Sequence, residues 1–339
     1  MSDLLAYAEV RKLAATLGIE PTELDGFDEL GATRLRELRD AIKNRWFERY
    51  RGAFDKIIAL AKFVPTPIAA KLAEHAFGPF LSAQAAALLP PKQVADIAVK
   101  APPSFLAATP RHLDPPRITP ILDHIPLAVL RATTREVLDR GDHIGLAQFA
   151  DHVPPELIQS IVDVIDSDEH LLATGQYIES DQTLNRLIRL LTDDRVRSAV
   201  DTALGTSRES RLQGIGLLSR LDDANLARVE REILLADPAA LAAVAHDVLD
   251  AGVQSALLHV ATKLEPATAV HLIGSVTDEQ LNELARRITE AETVAALLDL
   301  ADKVDVPTMR RLAALDEFPS VRQIAERSGL GDRLDAITA

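Results

Sequence analysis

The sequence predicts an all-α protein, a superhelical solenoid of short stacked helices led by an N-terminal helical module. Three observations predict it. Apolar residues recur at helical spacing through almost the whole chain, no run alternates with period two, and proline pairs punctuate the middle at intervals of about one short helix. Composition agrees with this reading. Of 339 residues, 47% are apolar and only 4% aromatic, so the core is built from Leu, Ala, Val and Ile. Glycine, at 15, is outnumbered by 19 prolines, a balance that suits short helices better than tight hairpins. There is no cysteine, which excludes a disulfide scaffold and a cysteine-ligated zinc site.

The first element is a basic and aromatic module, residues 1–65. Residues 1–63 carry 11 basic and 11 acidic side chains, so the rest of the chain holds the whole net charge of −14. Residues 34–62 alone hold nine basic groups against four acidic ones, and seven of the 13 aromatics fall between Trp46 and Phe80. Residues 34–63 are expected to form an amphipathic helix with Leu35, Leu38, Ile42 and Trp46 on one face. Arg45, Trp46, Arg49, Tyr50, Phe54 and Lys56 form the candidate interaction surface. Cationic heads on long apolar stems beside Trp and Phe suit an acidic protein groove or an anionic membrane surface. Packing as the N-terminal cap of the solenoid accounts for the same residues.

The second element is an acidic body, residues 66–339, whose residues 88–166 carry the proline pairs. Pro90-Pro91, Pro102-Pro103 and Pro115-Pro116 are followed by Pro126 and then by Pro154-Pro155. The first proline of a pair drives its predecessor out of the α region, and the second fits a helix start, where no N–H is needed. Each pair is therefore expected to end one helix and begin the next. A helix of about 12 residues is too short to bury its own apolar stripe, and stacking supplies the missing partner.

The run from Leu88 to Pro126, LLPPKQVADIAVKAPPSFLAATPRHLDPPRITPILDHIP, resembles the N-terminal cytoplasmic domain of MgtE-type magnesium transporters. That family repeats an LPP start followed by a short amphipathic helix. The resemblance covers residues 88–166 and implies a superhelical stack of the kind also found in FliG-type motor switch proteins. It implies nothing of transport, because no nucleotide-binding CBS pair and no membrane bundle follow residue 166.

Further along, Ser180 is expected to cap a helix carrying Leu184, Leu187 and Ile188, and Asp222 or Asp223 one carrying Leu226, Val229 and Ile233. Another begins near Pro238, and Thr277 with Gln280 forms a capping-box pattern. Residues 321–334 resemble the middle of a helix-turn-helix, with Ala325 packed and Gly329 at the turn, although an acidic second helix suits a terminal cap of the stack better than DNA.

Sites of chemistry are sparse. Five of nine histidines follow an acid, at His75, His124, His143, His152 and His170. Neighbours on a helix point about 100° apart, so such pairs suit helix ends rather than one metal ion. No H-E-x-x-H, G-x-S-x-G, G-x-x-x-x-G-K-[ST] or G-x-G-x-x-G occurs, and Gly214-Ile-Gly216 reads as a helix break or a close helix crossing. The sequence thus leads one to expect a non-enzymatic adaptor, without a cofactor or nucleic acid, that binds a protein partner on its acidic helical surface. A peripheral lipid regulator using residues 34–89 and a divalent-cation-responsive domain are the alternatives. The N-terminus shows no signal-peptide pattern, and no apolar run reaches the ~18 residues of a membrane span, so a cytoplasmic location is expected.

Overall fold

The computed structural model describes residues 2–61, 64–153, 155–287 and 291–338. Among these, the chain forms twenty-three α-helices, with three short 3-10 helices and one π-helical stretch between them, and no strand. Contacts divide it into two compact units, Leu5–Leu190 and Leu191–Ala339 together with Met1–Leu4. Each is a stack of short helices, and the all-α solenoid class holds.

The Leu5–Leu190 unit contains α1 (Ser2–Leu17), α2 (Ala32–Ala61), α3 (Thr66–Leu72), α4 (Gly78–Ala86), α5 (Pro91–Lys100) and α6 (Pro103–Leu106). It continues through α7 (Pro115–Leu122), α8 (Leu127–Asp139), α9 (His143–Ala147), α10 (Pro155–Val162), α11 (Asp168–Gly175) and α12 (Asp181–Arg189). Proline starts the early helices as anticipated. Pro90 and Pro102 are N-caps in extended backbone, with ψ of 132° and 143°, and Pro91 and Pro103 open α5 and α6. At the third pair the arrangement shifts by one residue: Asp114 is the N-cap and both prolines lie in the first turn of α7. At α9, α11 and α12 side chains do the capping, with Asp142, Ser167 and Ser180 accepting from the amides of Gly145, His170 and Thr183. Packing runs down the stack, α3 on α5, α5 on α7, α6 on α8, α8 on α10 and α10 on α12.

The second unit contains α13 (Asp193–Ala203), α14 (Arg208–Leu218), α15 (Asp223–Ile233), α16 (Pro238–Asp250), α17 (Gln254–Lys263) and α18 (Pro266–Ser275). It ends with α19 (Asp278–Arg286), α20 (Ala291–Ala301), α21 (Val306–Ala313), α22 (Phe318–Arg327) and α23 (Gly331–Thr338). Its repeat is three helices long. α14 packs on α17, α17 on α20 and α20 on α23, while α16 meets α19, α19 meets α22 and α18 meets α21. The N-caps Asp237, Thr277 and Glu317 are spaced 40 residues apart. Alanine and medium aliphatics fill the core, as in the cluster of Ala245, Ala261, Ala269, Ile273, Leu281 and Leu300. Gly214 is not a helix break but lies within unbroken α14, where an added Cβ would stand 3.0 Å from the Cβ of Ala203. Close crossing is the physical reason for glycine there.

Thr277 and Gln280 close both halves of the capping box at α19. Thr277→Ala is expected to lower the unfolding free energy by about 1 kcal/mol. Leu264 is fully buried and Leu235 is 79% exposed. Leu264→Ala is therefore expected to cost about 2–5 kcal/mol and Leu235→Ala close to nothing, both read from urea midpoints.

Candidate functional site

Two features of the described surface bear on function: the long helix α2 and the charge pattern of the Leu191–Ala339 unit. Helix α2 has 30 residues, about 45 Å of helix. Its buried face runs through Leu35, Arg39 and Phe47, with Ile42, Lys43 and Trp46 half-buried. Leu38 lies at the surface, 37% exposed, whereas Arg39 is only 6% exposed. The expected face therefore rotates by one residue, and Phe47 rather than Trp46 is the enclosed aromatic. The guanidinium of Arg117 lies 3.6 Å from the centre of the Phe47 ring. Arg45 and Arg49 point to solvent. The side chains of Tyr50, Phe54 and Lys56 lie outside the described residues. The six proposed surface residues thus reduce, among those described, to two outward arginines and a half-buried tryptophan.

Arg39 is buried because it completes an ionic cluster. Glu9 and Lys12, one turn apart in α1, are 2% and 4% exposed. Glu9 accepts from Lys12 at 2.8 Å, Arg39 at 2.8 Å and Arg36 at 3.1 Å. Glu179 joins from the turn before α12, 2.7 Å from Arg39, 3.3 Å from Arg36 and 3.4 Å from Lys12. Burial lowers the pKa of the Lys12 amine despite both carboxylates. For Glu179 burial works in the opposite direction, but Lys12, Arg39 and Arg36 outweigh it and hold its carboxyl below the usual range. Burial likewise opposes the charge on Arg39, and Glu9, Glu179 and Asp40 overcome it. The sequence signal for this cluster is thin. An acid and a base stand at i and i+3 inside the apolar stretch from Leu5 to Ala14, and partners 27 to 167 residues away could not be assigned.

The second unit has a different electrostatic design. Residues 191–339 hold 16 basic and 25 acidic side chains. The basic ones are largely engaged with neighbouring repeats. Arg197 pairs with Glu232 at 2.9 Å, Arg208 with Asp250 at 2.6 Å, Arg211 with Asp247 at 2.5 Å and Arg333 with Asp299 at 2.8 Å. Others donate to carbonyls at the ends of earlier helices: Lys263 to Ser219 at 2.8 Å, Lys303 to Leu264 at 3.1 Å, Arg311 to Ile273 at 2.8 Å, and Arg287 to Leu249. Acids are left over. Asp223, Glu279, Asp316 and Glu326 are exposed, and none has an ion pair among the described residues.

Four of the five acid–histidine pairs fall near helix ends, and Glu74–His75 lies instead in the π-helical stretch Ala73–Phe77 between α3 and α4. Asp142 caps α9, and Glu169 with His170 opens α11. What the dipeptides could not show is that His143 and His170 come together from two helices, with ring centroids 5.1 Å apart. His143 Nδ1 also stands 3.2 Å from the Thr174 hydroxyl. Among the described residues no group of three or more His, Asp or Glu side chains is placed to hold a metal ion. No described helix is long and apolar enough to cross a membrane. At the chain end, α22 and α23 flank Gly329, whose φ of 74° is the left-handed turn that glycine favours, and Ala325 is fully buried.

Glu179 gives the ionic cluster a pH signature. Its folded pKa is depressed, so its stabilising contribution is whole above the unfolded value of about 4.3 and is lost as pH falls through the lower folded value. Glu179→Gln is expected to cost about 3 kcal/mol at pH 7 and to flatten the dependence of the urea midpoint on pH between about 4.5 and 3.

No family model matches the chain, and no curated protein does. Among solved structures it is similar to a circular tandem repeat protein with novel repeat topology and enhanced subunit contact surfaces, at 14% identity over 99% of this chain and 68% of that one. The TM-score of 0.14 is too low for that likeness to carry an argument, and the fold assignment rests on the helices themselves.

Proposed function

We propose that this protein is a non-enzymatic scaffold or adaptor that binds a basic protein partner on the acidic helical stack of residues 191–339. The observation that carries the reading is the internal use of arginine and lysine in that unit. Basic side chains are drawn into pairs and caps between repeats, and surplus carboxylates remain on the outside. A surface of this kind attracts basic segments and loses its hold as salt rises. The MgtE-like pattern of residues 88–166 fits the same reading, as a helical stack that works through contacts.

A second reading has its own observation. Large exposed apolar side chains gather between residues 27 and 99 of the Leu5–Leu190 unit. Ile68 and Leu72, one turn apart on α3, are 52% and 39% exposed, and Phe80, Leu81 and Leu38 are each near 37%. With Arg45 and Arg49 outward, residues 34–89 offer the apolar and cationic groups that a peripheral contact with anionic lipid uses.

The two readings separate cleanly. Asp316→Lys with Glu326→Lys is expected to leave the melting temperature within a few degrees, since exposed charges contribute under about 1 kcal/mol. The same double variant is expected to lose capture of a basic partner at about 50 mM salt, where the wild type retains it, and both should fail near 300 mM. Retained capture by the variant counts against the acidic-stack reading. Ile68→Glu with Leu72→Glu tests the other: flotation with vesicles containing phosphatidylserine should fall if lipid is the target and stay at background in both proteins if it is not.

A further inference from the structure

The core of the Leu191–Ala339 unit holds a cavity of about 130 Å³, lined by side chains from every helix between α16 and α23. The sequence explains why the space is there. Six alanines face it, Ala245, Ala261, Ala269, Ala285, Ala301 and Ala325, and a methyl group leaves open what a longer aliphatic chain would fill. Larger apolar side chains make up nearly all the rest of the wall, Met309 and Phe318 among them. Gln280 is the one polar side chain among the described wall residues, and most of its bonding capacity is used. Its amide nitrogen donates to the Ala242 carbonyl at 3.0 Å, and its oxygen accepts from the Thr277 amide at 3.0 Å and hydroxyl at 3.2 Å.

Protein interiors pack to crystal density, and voids larger than a water molecule are few. A water needs about two to four polar partners, and this wall offers at most the second N–H of Gln280. An apolar cavity of about 150 Å³ stays dry and accepts benzene or xenon, so the space here is close to that of one small ring. Left empty, its lining forfeits the dispersion contacts that a close-packed neighbour would supply. The cavity is not sealed. Leu272, Leu284, Leu312 and Phe318 line it and are half-buried, so its wall reaches the surface on α18, α19, α21 and α22.

We propose that this cavity binds a small neutral apolar molecule, or the ring or short chain ending a larger one, of about six to eight carbons. Polarity selects this class. A carboxylate carried inward would lose its water and meet no cation among the described wall residues. At the rim it would stand on a unit with surplus acids, among them the exposed Asp316, two residues before Phe318. An ammonium would likewise find no carboxylate in the described wall. A neutral hydrocarbon group restores the missing contacts and asks for no polar partner.

The test follows the full-length protein, isotope-labelled at its methionine methyls, by nuclear magnetic resonance through titrations with toluene and hexanol. Benzoate, hexanoate and hexylammonium are the charged counterparts. Met309 lies in the wall and is one of two methionines, so its methyl signal reports on the cavity directly. At least one neutral probe is expected to move that signal saturably, with its charged counterpart weaker by about tenfold or more. Ala301→Leu puts a larger side chain at a half-buried wall position and should weaken the neutral probe by a similar factor, while Leu235→Ala, at an exposed position, should not. Absence of a saturable Met309 shift with either neutral probe up to its solubility limit would overturn the site. A charged counterpart that binds as tightly as its neutral partner would overturn the assignment of ligand class. Binding that a folded Ala301→Leu leaves unchanged would put the guest elsewhere and also overturn the site. The probe comparison and the Met309 signal use the wild type, so they stand even if Ala301→Leu fails to fold.

Discussion

The interaction on which the stack of residues 191–339 most depends is the capping of one repeat's helix ends by basic side chains of the next. Every α-helix leaves its last carbonyls without an internal partner, and a chain of short helices multiplies that deficit. Here Lys263, Arg287, Lys303 and Arg311 reach back 38 to 44 residues to carbonyls at or near the ends of α14, α16, α17 and α18. A cation at a helix C-terminus also meets the negative end of the dipole. Each such bond, to a charged donor, is worth about 1.5–3 kcal/mol net. The apolar contact between repeats sets how close the helices lie, and these bonds set which carbonyl meets which side chain, so they fix the register.

This use of basic side chains has a surface consequence. A lysine or arginine turned toward a neighbouring repeat no longer offsets the acids at the surface. Those acids have their own local reason to be present: Asp237 and Asp305 accept amides as N-caps, and Asp223 and Glu279 stand in first turns where the helix dipole favours them. Helix capping thus sorts charge, drawing cations inward at C-termini and leaving anions outward at N-termini. The acidic face that would attract a basic partner arises from the same rules that hold the helices together.

Those rules also decide what was legible beforehand. N-caps are local, with donor and acceptor two or three residues apart, and so Ser180, Asp222, Thr277 and the helix start at Pro238 could be read directly. The C-caps depend on residues nearly forty positions away, and so does the three-helix repeat. Asp237, Thr277 and Glu317 occupy one structural position with three different residue types, so the period leaves little trace in the letters. The proline pairs were local as well, and they marked the starts of α5, α6 and α7. At α2 the amphipathic pattern favoured Leu38 as core and Arg39 as surface. The reverse holds because Glu9 and Glu179 wait on the buried side, and a buried guanidinium with enough carboxylates competes with a leucine for that place.

The buried cluster also shows, by contrast, what differs at the neighbouring Lys43. Glu9, Lys12, Arg39 and Glu179 show how this fold handles enclosed charge: each group meets two or more opposite charges, and the half-buried Arg36 adds a third cation. Lys43 lies one turn beyond Arg39 on the same helix. Burial and Arg39 lower its pKa, while Asp40, Asp114 and Glu179 act the other way without closing an ion pair among the described residues. Substituting Lys12 would remove a cation in direct contact with Glu9 and Glu179, whereas Lys43 meets carboxylates only at longer range. That asymmetry, between a saturated cluster and a neighbour one turn away, separates charges that fix α1 against α2 from one that does not.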